Sequence, residues 1–159
     1  MSDDLGKAYL DWCRFRLMHH YWPRVQLCVG MLSHDDIWWR EHEANNSVGN
    51  LLLHLTGNLN QFILAGIGGE PDTRDKPQEF AERQRMPKEA LMSALERALL
   101  ETDRTLAAFE PSRFLDRTSV QDRERPYLEV ISVVVEHFAL HVGQIIYITK
   151  MKTGRDLKL

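Results

Sequence analysis

Residues 130–148, VISVVVEHFALHVGQIIYI, decide the fold of this chain. Their side chains follow a spacing of three or four residues, which is typical of one face of an α-helix. The stripe consists of Val130, Val134, His137, His141, Ile145 and Ile148. The β-branched run at 130–135 taken alone favours a strand, but the helical period continues after it. We therefore predict a helix from near Pro126 to just before Gly154, where Lys150 and Lys152 suit a helix C-terminus.

Three earlier segments, at 5–32, 46–65 and 87–111, have the same helical spacing. Four long helices joined by long connections predict an all-α fold, a four-helix bundle with crossover connections, in which 1–159 form one domain. Pro23 predicts a kink or a break near residues 21–22. The β structure that we expect is limited to an extended segment at 117–125, which pairs over a short length. The connection at 66–86 is longer than usual, which makes it either functional or an ordered cover.

The composition excludes several classes of partner. The 159 residues carry a formal net charge of −3, so the chain lacks the basic excess of nucleic-acid or anionic-membrane binders. Its apolar stretches fall short of the roughly 20 residues of a membrane span. The N-terminus, MSDD, is acidic where a signal peptide would be basic, so we expect a cytoplasmic protein.

The chain has seven histidines, and three of them fall on helical faces that point to a metal site. His137 and His141 are four residues apart, so both rings leave the same face of the helix. His54 lies in the second helix, at the border between its apolar stripe and its polar stripe. A His-x-x-x-His pair and a third His from another helix suit a mononuclear metal with an open coordination position.

Other polar residues near these histidines are candidates for supporting roles. Asn50, Asn58 and Gln144 are candidate partners of the ligands or contacts of a substrate, and Glu136 is a candidate catalytic base. Glu136 precedes His137, whereas the zinc-protease signature places its glutamate after the first histidine, so protease chemistry is not supported. A His-x-x-x-His pair on a helix is also common on solvent-facing surfaces. We expect the remaining histidines on the surface or in loops. His19 and His20 are adjacent on the first helix, and His34 and His42 are predicted in the polar loop between the first two helices.

The chain resembles the DinB/YfiT-like superfamily of metal-dependent enzymes. The matching segments, in order along nearly the whole chain, are 38–40 (WWR), 46–58 (NSVGNLLLHLTGN), 68–75 (GGEPDTRD) and 135–147 (VEHFALHVGQIIY). The resemblance implies a four-helix bundle of up-down-down-up topology, commonly dimeric and bacterial, with a divalent metal held by His54, His137 and His141. Members with an assigned activity are mostly S-transferases that use bacillithiol, mycothiol or a similar thiol, and one is a mycothiol-dependent isomerase.

These observations give a leading hypothesis and two alternatives. The leading one is a thiol S-transferase, in which a metal stabilises the thiolate of a small cosubstrate that attacks an electrophilic small molecule. A second is hydrolysis by a metal-activated water with Glu136 as base. A third is a non-catalytic metal-binding or stress-related bundle. Imidazole ligands favour Zn, with Ni, Fe or Mn as alternatives. The resemblance also predicts a homodimer, for which Trp12, Phe15 and Trp22 on the first helix are candidate contacts.

Overall fold

The structure, a computed structural model, describes residues 2–83 and 86–159, and 69% of the chain is helical. The α-helices are α1 (Ser2–Phe15), α2 (Trp22–Met31), α3 (His34–Ile37), α4 (Val48–Leu59), α5 (Lys76–Ala81), α6 (Lys88–Ala107) and α7 (Tyr127–Thr153). Two π-helical segments, Arg16–Tyr21 and Asn60–Ala65, continue α1 into α2 and extend α4. A 3₁₀ turn at Pro111–Arg113 precedes a hairpin of β1 (Arg117–Val120) and β2 (Arg123–Pro126). The prediction of a mostly helical fold is confirmed.

The run at 130–135 is helical, because its side chains supply the buried face of α7. Val130, Val134 and Phe138 are almost fully buried, and α7 packs against α2 and α4. α4 in turn packs against α6, so that the core lies between these helices. α7 ends where Gly154 adopts a left-handed conformation, with φ of 64°, as glycine does after helix C-termini.

Of the kink or break predicted near Pro23, the break is wrong. The backbone stays helical through residues 16–31. What changes at residues 21–22 is the hydrogen-bonding pattern, which passes from π-helical to α-helical. The Trp22 N–H donates to the Leu17 carbonyl five residues earlier, as in a π-helix. Pro23 then occupies the first turn of α2, where its missing N–H is tolerated.

The start of α4 is fixed by a capping box. The Ser47 hydroxyl accepts from the Asn50 N–H at 3.1 Å, and the Asn50 side chain accepts from the Ser47 N–H at 3.3 Å. The Asn50 amide also donates to the Glu79 carbonyl at 2.9 Å, and α5 lies against α4. The described part of the 66–86 connection is therefore an ordered cover on α4; residues 84 and 85 lie outside the described residues.

The extended segment predicted at 117–125 forms the antiparallel hairpin of β1 and β2, whose turn residues Gln121 and Asp122 have φ of 55° and 57°. The Thr118 hydroxyl donates to the Gly66 carbonyl at 2.9 Å, and the Gln121 amide donates to Gln61 Oε1 at 2.8 Å. The hairpin is thereby held against the end of the helical segment that begins with α4.

α7 is long and apolar enough to cross a membrane when judged by length and composition alone, which differs from the expectation of short apolar stretches. The core helices of soluble proteins pass the same test, and the buried face of α7 packs inside this protein. The helix is thus compatible with a soluble protein.

The aromatic residues proposed as dimer contacts do not share one environment. Trp12 and Phe15 are exposed on α1, whereas Trp22 is buried in the core and is removed from that set. Dimerisation itself stays a prediction.

Candidate metal centre

Three imidazoles from two helices converge inside the protein. α4 supplies His54, and α7 supplies His137 and His141 from successive turns. The Nε2 atom of His137 lies 2.9 Å from Nε2 of His54 and 3.0 Å from Nε2 of His141. His54 and His141 are buried and His137 is half-buried. The three potential ligand atoms lie within 4.8 Å of one another, a group that could hold a metal ion.

The outer nitrogens of two rings are fixed by acceptors. His54 Nδ1 lies 2.7 Å from Glu79 Oε2, and His141 Nδ1 lies 2.7 Å from Gln144 Oε1. Arg74 Nη2 also lies 3.0 Å from His54 Nδ1, but it donates to Glu79 Oε2 at 2.9 Å. The shorter contacts to oxygen acceptors therefore favour a proton on both Nδ1 atoms. In the neutral rings, Nε2 of His54 and of His141 is then left with a lone pair directed at the cluster.

These tautomers leave the centre of the cluster with an excess of acceptors. His137 Nε2 can donate one proton, to His54 or to His141 but not to both. The other pair of nitrogens, about 3 Å apart, would then have facing lone pairs. A cation between the three nitrogens removes this repulsion, and imidazole Nε2 is a standard ligand of divalent transition metals. The residues therefore fit a metal ion.

A buried ion pair from the 66–86 connection supports His54. Arg74 Nε donates to Glu79 Oε1 at 2.7 Å, and Arg74 Nη2 donates to Glu79 Oε2 at 2.9 Å. The side chains of Arg74 and Glu79 are 2% and 9% exposed. Burial raises the pKa of Glu79, but hydrogen bonds from His54 and Arg74 outweigh it and hold that pKa below its usual value. The carboxylate that orients His54 is thus kept ionised.

The approach of Glu79 to α4 requires a glycine. A Cβ on Gly57 would lie 1.9 Å from Glu79 Oε1, well inside contact distance. On the neighbouring side, the Phe80 ring packs on the His54 ring with centroids 4.5 Å apart. α5 therefore covers His54 with both a charged and an apolar contact.

One family sequence model, described as a protein of unknown function (DUF1572), matches residues 4–159, nearly the whole chain. The chain belongs to the DUF1572 family. No curated protein and no solved structure matches it. Membership of the DUF1572 family names no reaction, and the geometry of the three histidines is the feature that bears on function.

Two histidines of the cluster in this DUF1572 protein, His137 and His141, are held in their neutral form. Burial lowers the pKa of His137 to about 3. Repulsion between its protonated form and a protonated His141 or His54, and the positive charges of Arg74 and Lys76, lower it further. Burial lowers the pKa of His141 as well. Neutral imidazole is the state that binds metal, so protons do not compete with a cation near neutral pH.

The shifted pKa of His137 predicts a pH-dependent stability in the metal-free protein. Below pH 6.5 the unfolded chain takes up a proton that the folded chain does not, until the pH approaches about 3. Uptake of that proton by the unfolded chain lowers the free energy of unfolding. The contribution of His137 to this free energy is therefore largest above pH 6.5 and decreases progressively below it. We expect the difference in free energy of unfolding between wild type and His137→Gln, measured by urea denaturation with a chelator, to fall between pH 6.5 and 4.5. A difference that stays constant over this range would contradict the neutral, desolvated state of His137.

The predicted supporting residues occupy different environments. Gln144 is exposed and bonds to His141, while Asn50 is fully buried and holds Ser47 and α5. Asn58 is buried on α4, one turn after His54. Glu136 is exposed, and among the described residues it makes no hydrogen bond to the cluster.

The remaining histidines of this DUF1572 protein lie outside the cluster. His19, His34 and His42 are exposed, and His20 is half-buried against Tyr21. His34 differs from its predicted loop placement, since it begins the short helix α3.

Sequence reasoning missed Arg74 and Glu79, the pair that orients His54. They lie in a connection whose apolar residues show neither helical nor alternating spacing. The sequence therefore does not indicate which side chains of the connection face α4. A signal was nevertheless present: Gly57 lies one turn after His54 and leaves room on the helix surface for an approaching side chain.

Proposed function

We propose that this DUF1572 protein is a metal-dependent enzyme that binds one divalent cation through Nε2 of His54, His137 and His141. The observation that carries the proposal is the convergence of three Nε2 atoms while two outer nitrogens donate to Glu79 and Gln144. Ligated histidines in metalloenzymes characteristically have such outer partners. On ligand type we favour Zn, with Ni, Fe or Mn as alternatives.

The number of ligands favours a catalytic site over a structural one. Among the described residues, the group of donors near enough to share an ion consists of the three histidines. Structural zinc sites usually have four protein ligands, whereas catalytic sites have three and an open position. Glu79 is engaged on the outer side of His54 and does not fill that position.

We further propose a thiol-dependent S-transferase that acts on a small electrophilic molecule. A divalent cation with an open position would lower the pKa of a low-molecular-weight thiol and hold it as the nucleophilic thiolate. The resemblance to the DinB/YfiT-like superfamily supports this assignment, and with it a four-helix bundle of up-down-down-up topology. The hydrolase alternative gains less support, because Glu136 is exposed and, among the described residues, makes no hydrogen bond to the histidines.

The protein's own residues would prepare the site in three ways. The three Nε2 lone pairs bind the cation, while Glu79 and Gln144 keep the outer protons of His54 and His141 in place. Arg74 balances the charge of Glu79, so that the buried carboxylate stays ionised. Phe80 covers His54 and keeps water from that side of the ring.

The assignment is tested by turnover assays of the zinc-loaded protein with a panel of small electrophiles, each with and without a thiol such as bacillithiol or mycothiol. We expect product formation that requires both thiol and metal and falls by at least about a hundredfold in His137→Gln, because one ligand is lost. Arg104→Gln, a change at an exposed ion pair on α6, is the matched control and should retain activity. Turnover that is independent of thiol would contradict the transferase and favour the hydrolase.

A further inference from the structure

A cleft of about 630 Å³ lies beside α7 at the segment that precedes α4. One side is formed by Leu140, Tyr147 and Met151, which project from the exposed face of α7. Trp39 and Arg40 line it from the segment after α3, and Gln144 also lines it. The cleft thus has an apolar and aromatic wall together with polar side chains, and among the described residues that line it the cationic one is Arg40.

Arg40 has unused hydrogen-bonding capacity. Its side chain is 12% exposed, and its ion pair is a distant one, 3.9 Å from a carboxylate oxygen of Glu43, whose own side chain is 90% exposed. Among the described residues, the guanidinium donates no hydrogen bond within normal range. A guanidinium has five N–H donors, and one that is mostly covered normally has its donors paired. The free donors of Arg40 therefore suit an anionic group of a ligand.

Neighbouring charges do not cancel this preference. Glu41 also lines the cleft, but it is exposed to solvent, which screens its charge. Lys152 is not among the residues that line the cleft. Its Nζ lies 4.8 Å from the Trp39 ring centroid and pairs with Asp36 at 3.0 Å. The least solvated charge at the cleft is thus that of Arg40.

We propose that this cleft binds a small molecule that combines an acidic group, paired with Arg40, with an apolar or aromatic body that packs on Trp39, Leu140 and Tyr147. Planar guanidinium groups bind carboxylates through two parallel hydrogen bonds, and aromatic side chains supply most of the contact area in such sites. The volume is within the range of pockets for small ligands.

The cleft adjoins the metal centre through Gln144, which lines it and accepts from His141 Nδ1. A ligand there would contact the side chain that orients His141, on the side of that ring opposite Nε2. The inference nevertheless stands without a metal, since neither Arg40 nor the apolar wall depends on one.

The test uses 1-naphthaleneacetate and its neutral analogue 1-naphthaleneacetamide as probes of the full-length protein in the presence of a chelator. Isothermal titration calorimetry should show that the acid binds at least about tenfold more tightly than the amide, as expected for a charge-assisted pair. Tyr147→Ala should weaken both probes to a similar extent, because it removes packing and not charge.

Arg40→Gln should abolish the preference for the acid while leaving the amide unaffected, and Arg104→Gln, remote from the cleft, should leave both affinities unchanged. Equal affinity of the wild type for acid and amide would overturn the proposal, and this comparison does not depend on any variant folding. Failure of both probes to bind, as expected if a second copy of the chain covered this face, would overturn it as well. Metal content is measured separately, so the proposed function can fail while this inference holds.

Discussion

Glu79→Ala is expected to lower the free energy of unfolding by about 3–5 kcal/mol, because it leaves the Arg74 guanidinium buried without its partner. The Arg74 side chain is 2% exposed, and two of its nitrogens donate to the Glu79 carboxylate at 2.7 and 2.9 Å. The same change removes the acceptor of His54 Nδ1. The measurement is urea denaturation with a chelator present, which separates the ion pair from any contribution of metal.

Two further variants test whether the loss of stability comes from the buried Arg74–Glu79 pair or would follow any loss of an ion pair. The double variant Arg74→Met, Glu79→Leu should recover part of the loss, because buried ion pairs are often replaced by apolar side chains at little net cost. Asp11→Ala breaks the exposed Lys7–Asp11 pair and should change stability by less than about 1 kcal/mol. A loss below about 1 kcal/mol for Glu79→Ala would mean that the buried pair does not hold α5 on α4.

Removal of one histidine of the cluster is expected to abolish stabilisation by zinc. For the wild type, free zinc at a hundred times its dissociation constant should raise the free energy of unfolding by about 2.7 kcal/mol. His54→Ala should show no rise at the same concentration, because its remaining ligands, both from α7, no longer join two helices. His34→Ala removes an exposed histidine outside the cluster and should respond as the wild type does. An equal zinc response in His54→Ala and His34→Ala would place the binding elsewhere.

The three histidines of the site could be predicted from the sequence, because helical periodicity determines which face of a helix each side chain lies on. His137 and His141 lie on one face because they are four residues apart, and His54 was found because its place beside the apolar stripe of α4 is a local property. The structure brings these three rings together. His54 and His137 are 83 residues apart in the sequence, and that separation alone does not predict a contact.

The features that were missed depend on how separate segments pack. Glu79 reaches His54 only because the connection folds back over α4, where Asn50 holds its backbone and Gly57 leaves room. A non-periodic connection contains no local signal for that path. The π-helical segments were missed for a related reason, since their wider hydrogen-bonding pattern is compatible with the same apolar spacing that predicts an α-helix.

The central claim, that the three histidines bind one divalent ion, is tested most directly by elemental analysis of protein purified without a polyhistidine tag. The wild type should contain about one equivalent of divalent metal per chain, as a mononuclear site requires. His137→Ala should contain less than about a tenth of that amount, since a site with two ligands binds weakly, and His42→Ala should match the wild type. Equal metal content in the wild type and His137→Ala, whether negligible or stoichiometric, would contradict the account.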